Sequence, residues 1–172
     1  LREMKNLCAK GVFISNSQIS DEDKKSIEGL YDEFLQRENS GFDFAAWRDG
    51  IKLVGWKELE KFDNVTLMND TCFGPIYPMD EIYDEMEQRE EIDFWGITDH
   101  DKTMIGMPGT NAPTPKHIQS YFTCYDQKVV KSKAFQDFWN NVKDYEDVHK
   151  VIQEYETALT GILEKAGFES GS

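Results

Sequence analysis

Val65-Thr66-Leu67-Met68-Asn69-Asp70-Thr71 is the run on which the fold turns. Its first four residues, apolar or β-branched, suit a strand buried in a sheet. The polar triplet that follows suits the exposed C-terminal end of such a strand. Val12-Phe13-Ile14 with the polar residues 15–17 repeats the arrangement, and so does Ile92–Thr98 with the cluster at 98–101. Ser120–Tyr125 reads as a fourth strand, which Val129-Val130 would extend.

Helical patterns lie between these runs. Leu1 to Ala9 can form a helix that Lys10-Gly11 ends. Ser20 followed by Asp21, Glu22 and Asp23 is an N-cap with acids in the first turn, and Ile27, Leu30, Tyr31 and Phe34 would form the inner face. Helices are also expected over Ala45–Val54, Met79–Arg89, Ser132–Val142 and Asp147–Lys165, the last closed by Gly167. The stretch 99–115, with its Pro and Gly, reads as a long loop. Alternating strands and helices predict an α/β fold: a mostly parallel sheet of four or more strands flanked by helices. In such sheets functional groups collect at the C-terminal ends of the strands. The three polar clusters therefore point to one common site.

Composition narrows the function. The 172 residues are one domain's worth, and 39% hydrophobic with 13% aromatic residues is enough for a core. There are 33 acidic and 19 basic residues, a net charge of −14, and no cluster of Lys and Arg. Nucleic acid and anionic membrane surfaces are therefore poor partners. No apolar run approaches the ~20 residues of a membrane span. Cys8, Cys72 and Cys124 are far apart and odd in number, which fits reduced thiols in a cytoplasmic protein. The start at Leu1 and the Gly171-Ser172 end read as a domain spanning 1–170, cut from a longer protein, with 171–172 as an appended tail.

Several residues could carry chemistry, and each has a plainer reading. Asp70 can face a divalent cation and, through it, a diphosphate; it can equally cap the following turn. His117 precedes the fourth strand, where a lone His is commonly a hydrogen-bonded structural residue. Glu156 lies one residue off the apolar stripe Val151, Ile152, Tyr155, Leu159 and Ile162, so it borders a cleft or a solvated face. Trp47, Trp56, Phe94, Trp95 and Tyr121 could stack on sugar rings, though aromatics at this spacing also build cores.

Five segments, in order, carry a family resemblance. Arg37-Glu38-Asn39-Ser40-Gly41-Phe42-Asp43-Phe44-Ala45-Ala46-Trp47 resembles the REN-x-G-[FY]-DF-x-x-W/Y segment of the rhamnan synthesis F family. Leu67–Pro75 resembles that family's LLNDS-x-x-GP, and Asp93–Thr98 its DFWG-[LI]-T. His117–Phe122 is similar to its H-[LI]-QSYF, and Tyr155–Thr160 to its yE-x-x-LT. The resemblance covers most of residues 12–168. It implies a bacterial glycosyltransferase with a GT-A-type, Rossmann-like fold, whose first strand is missing from this chain. It also implies transfer of a sugar, L-rhamnose from dTDP-L-rhamnose, onto a cell-wall or capsular polysaccharide. The implied partners are a nucleotide-sugar donor and a lipid-linked or polymeric glycan acceptor, with Mg2+ or Mn2+ as the cofactor to consider. The implied setting is the cytoplasm, at the inner face of the cell membrane through the rest of the parent protein.

Family 2 GT-A glycosyltransferases offer a more distant resemblance. Asn39-Ser40-Gly41 and Gly50 fit their N-x-G-x-x-x-A-x-N-x-G segment. Glu156 takes the place of their catalytic Asp, with Leu159 and Gly167 following as in the pattern. Thr71 stands where the metal-binding Asp of D-x-D falls, with Asp70 shifted by one. The resemblance thus implies Glu156 as general base and Asp70 as catalytic and metal-binding residue. It implies Arg37, Asn39, Gly41, Asp43, Trp47, Asn69, Trp95, His117 and Gln119 around the substrates. Asp70, Glu156, His117 and Trp95 should then share one pocket. A non-catalytic carbohydrate- or partner-binding domain of the same ancestry is the alternative. A phosphatase-like or nucleotidyl enzyme lacks its DxDx[TV] or P-loop signature here. The absent strand would leave a sheet edge open to a second copy, and so a homodimer is expected.

Overall fold

Ser20 starts its helix as the sequence requires: its hydroxyl accepts from the Asp23 N–H, and Asp21–Glu22–Asp23 fill the first turn. The computed structural model describes residues 1–72, 74–106 and 112–172. Along the chain, α1 (Arg2–Leu7) leads to β1 (Val12–Ser15), α2 (Asp21–Ile27) and β2 (Glu33–Gln36). Then come α3 (Phe42–Val54), α4 (Trp56–Leu59), β3 (Asn64–Met68), α5 (Met79–Glu87) and β4 (Phe94–Gly96). Short strands follow: β5 (Asp99–His100), β6 (Thr103–Gly106), β7 (Pro113–Thr114) and β8 (His117–Ile118). The chain ends with β9 (Phe122–Asp126), α6 (Gln127–Val130), α7 (Lys133–Asn141), α8 (Val148–Val151), a π-helical turn (Ile152–Glu156), α9 (Thr157–Lys165) and β10 (Ser170–Gly171).

The mostly parallel sheet expected from the alternation is not what forms. The main sheet has the order β10-β4-β9-β3 and is mixed. β9 runs antiparallel to both neighbours, and β10 is parallel to β4. The reason lies in the connection. The chain leaves β4 through paired excursions, β5 with β8 and β6 with β7, and returns on β9 in the opposite direction. The stretch expected as one long loop thus carries short ladders at its two ends, while residues 107–111 lie outside the described residues. β1 and β2 form a separate parallel pair.

Three smaller expectations also change. The helix from Ser20 stops at Ile27, and Gly29 turns the chain at φ 78°. Phe34 therefore sits on β2, its ring stacked on Phe13 of β1, and not on a helix face. Val129-Val130 belongs to α6 and does not extend the fourth strand. Residues 170–171, expected in a tail and a domain boundary, add a strand beside β4; a Cβ on Gly171 would meet Ile92 Cδ1 at 2.3 Å.

Strand alternation divides the core. Leu67, Phe94 and Tyr125 face one side with Phe44, Trp47, Phe135, Trp139, Tyr155 and Leu159 from α3, α7, the π turn and α9. Trp95, Phe122 and Cys124 face the other, under Met79 and Met86 of α5. Burial raises the Cys124 thiol to about 12, so it packs as an inert neutral group. α7 is capped by Ser132, whose hydroxyl accepts from the Phe135 N–H, and α9 closes through Gly167 at φ 94° with Phe168 N–H donating to Leu163 O. No helix among the described residues is long and apolar enough to cross a membrane.

Candidate active site at the end of β3

α3 enters under strain. Gly41, its N-cap, has φ 76°, and Phe42 has φ 54°. A Cβ at Gly41 would fall 2.6 Å from Ala45 Cβ and 2.9 Å from Asp144 Cα. Gly41 is therefore required by sterics. This entry puts Asp43 in the first turn of α3, where the helix dipole favours a carboxylate.

Asp43 Oδ2 accepts from Asn69 Nδ2 at 2.8 Å. Asn69 is fixed in turn. Its N–H donates to Tyr121 O at 3.0 Å, and its Oδ1 accepts from the Thr71 N–H at 3.1 Å and Thr71 Oγ1 at 2.6 Å. Thr71, the departure from D-x-D, thus buttresses Asn69. Asp70 follows, exposed. From the other side, Glu156 Oε1 accepts from the Ser120 N–H at 3.2 Å and Ser120 Oγ at 2.9 Å. Glu156 ends the π turn, a distortion often found at functional sites. Ser120 carries no role in the sequence reading; a hydroxyl at the start of a strand, in a chain with a candidate carboxylate, is the signal for it.

Burial pushes the Asp43 carboxyl above the usual range, the Asn69 hydrogen bond opposes this, and the charges of Asp70 and Glu156 both push it further up. Asp70 and Glu156, 86 residues apart in sequence (156 − 70), thus both act on Asp43 through space. Asp43 thus lies within electrostatic reach of both Asp70 and Glu156.

The other expected site residues go elsewhere. Arg37 donates to Asp49 Oδ2 at 2.9 Å, Asn16 Oδ1 at 2.7 Å and Ser40 O at 2.7 Å, so its charge is used inside the protein. Arg48, which is buried, bridges Asp49 and Asp144. Asn39 is exposed beside this staple. Trp47 is core, its indole N–H donating to Met68 O at 3.2 Å, where it holds the end of β3. Trp95 is 5% exposed and packs edge-on to Tyr83 on the opposite face of the sheet, so it does not share the pocket. His117 is buried, with Nδ1 against Pro115 O at 2.9 Å and its ring stacked on His100. Gln119 Oε1 accepts from Thr98 Oγ1 at 2.6 Å. Trp56 donates to Asn140 Oδ1 and packs on Phe135.

Hard carboxylate oxygens are the right donors for Mg2+ or Mn2+. Among the described residues, however, no three acidic, His or Cys side chains lie close enough to share an ion. Asp70 would be the protein ligand of such a cation, with its other positions left to oxygens from outside the described residues.

The profile of the Rhamnan synthesis protein F family matches residues 11–171. The uncharacterized protein y4gN of Sinorhizobium fredii is 27% identical over 96% of this chain and 42% of its own length. Virulence protein VirA of Vibrio anguillarum is 28% identical over 74% of this chain and 38% of its own length. The chain thus spans about two-fifths of the curated relatives it matches. No solved structure matches it.

Proposed function

The chain belongs to the rhamnan synthesis protein F family, a family tied to polysaccharide synthesis, and from that premise we propose that it is the glycosyl-transferring domain of a longer protein. It would move a sugar, L-rhamnose from dTDP-L-rhamnose, onto a lipid-linked or polymeric glycan in the cytoplasm, at the inner face of the membrane. The reading is supported by Asp43, hydrogen-bonded to Asn69, lying within electrostatic reach of both Asp70 and Glu156. Glu156, aimed by Ser120, is the general base that takes the proton of the acceptor hydroxyl. Asp70 faces the leaving diphosphate and would hold a divalent cation, which when bound would supply charge neutralisation there. Asp43 and Asn69 hold each other by a hydrogen bond at the end of β3.

The test uses the full-length parent protein with a nucleotide-sugar donor. Asp70→Asn and Glu156→Gln should each lower turnover on the order of 10²-fold. Glu156→Gln should leave donor binding nearly unchanged, because the base acts in the transition state. Normal turnover in both variants refutes the reading.

Arg37 favours a second reading. The cation of the first motif is spent on Asp49, Asn16 and Ser40, which leaves it no free charge for a diphosphate. A non-catalytic carbohydrate- or partner-binding domain would need none. Donor binding by the full-length protein without turnover would select it. β3 ends the main sheet and β1–β2 stands apart, so strand edges among the described residues are open to a second copy. A homodimer is part of the proposal, read as a mass doubling in light scattering; a monomer at every concentration removes it.

A further inference from the structure

Trp139 heads the fully buried side chains among the described residues, 1% exposed in α7. Its ring is packed by Phe44 and Phe138 at centroid distances of 5.7 and 5.2 Å. Its indole N–H has no hydrogen-bond partner among the described residues. Buried donors are rarely left in that condition in native proteins. Beside it lies a cavity of about 10 Å³ whose polar lining residues are Trp139, Ser120, Thr123, Tyr125, Glu156 and Thr160, with Tyr125 hydrogen-bonded to Thr123. That space is on the scale of one water and too small for a sugar or a hydrated ion.

The hydrogen-bond inventory indicates where such a water binds. Ser120 Oγ and N–H are committed to Glu156 Oε1. Thr160 Oγ1 accepts from the Ile118 N–H at 3.0 Å. The Glu156 carboxylate has more lone pairs than Ser120 uses and is the strongest acceptor on the cavity wall. We propose that one buried water accepts from the Trp139 indole N–H and donates to the Glu156 carboxylate, making Trp139 a positioning residue for that group. The water holds Glu156 from behind while Ser120 holds it from the side. Its aim toward Asp43 and Asp70 is then set by the core. That this aim serves acceptor deprotonation rests on the function proposed above.

The experiment is a nuclear magnetic resonance titration of this chain, labelled with 15N and 13C. The Trp139 indole N–H is assigned by its loss in Trp139→Phe, or by contacts to the Phe44 and Phe138 rings should that variant not fold. Two results are expected: a cross-peak from the indole N–H to a long-lived water, and an indole shift that follows the Glu156 carboxyl as pH is swept. In Glu156→Gln the water cross-peak should remain and the pH dependence should vanish. An indole N–H with no water contact, or one whose shift stays flat while Glu156 titrates, overturns the proposal. None of these signals depends on sugar transfer, so loss of the transferase reading would leave them as they are.

Discussion

Gly41→Ala places a methyl group where the chain at φ 76° has no room for one. Two costs add. An L-residue in the left-handed region costs about 1–2 kcal/mol. The new Cβ, 2.6 Å from Ala45 Cβ and 2.9 Å from the Asp144 backbone, forces a local shift worth about 1–3 kcal/mol. The sum, about 2–5 kcal/mol, is a large part of a domain stability of about 5–15 kcal/mol. Gly29 supplies the control: its φ is 78°, and a Cβ there meets nothing within 4 Å. Gly29→Ala should therefore lose only the backbone part. Equilibrium urea unfolding of both variants, with a common slope, reads the difference directly. A gap of at least about 1 kcal/mol between them is expected. If Gly41→Ala is no less stable than Gly29→Ala, the steric account fails, and Gly41 would owe its place in the motif to a ligand.

Asp43→Asn should stabilise the protein at neutral pH relative to acid. The raised Asp43 pKa means the unfolded chain ionises first, so wild-type stability falls as pH rises from the unfolded value through the folded one. The variant lacks that fall; a wild-type-minus-variant difference that is flat with pH would contradict it. Arg37→Ala should cost about 2–4 kcal/mol of unfolding free energy, by stranding Asn16 and Ser40 O, with donor affinity unchanged in the folded protein. A lost donor affinity at intact stability would return Arg37 to the binding site. Asp93→Ala should speed hydrogen exchange at the Glu169 N–H about tenfold or more, because Asp93 Oδ2 accepts from it at 2.8 Å. Unchanged exchange there would mean that β10 is held by its ladder alone.

The parts of the fold legible in the sequence were those set by neighbours along the chain. Val65–Met68 is a strand with Asn69-Asp70-Thr71 at its end, and Ser132 and Gly167 bound their helices. Strand direction was not legible, because Phe122–Asp126 alternates the same way whether it runs parallel or antiparallel. Phe34 sits at helical spacing from Ile27 and Leu30, but Gly29 ends the helix and Phe13 offers a ring to stack on. The site was half legible. Motif spacing brings Asp43 and Asn69 forward, and they share a hydrogen bond, with Asp70 and Glu156 within electrostatic reach of Asp43. Arg37, Gly41, Trp47 and Trp95 sit in the same motifs yet serve the scaffold, because their partners Asp49, Asp144, Met68 and Tyr83 come from other segments. The π turn that presents Glu156 leaves no mark in local periodicity.

By the reading proposed above, Asp43, Asp70 and Glu156 act as one electrostatic site. Its most direct test is the 13C titration of the Asp43 side-chain carboxyl in the wild type, in Asp70→Asn and in Glu156→Gln. The expected result is a wild-type pKa above the ordinary Asp value and a downward shift in each variant, since each removes a negative charge that pushes it up. An Asp43 pKa that moves in neither variant would contradict it.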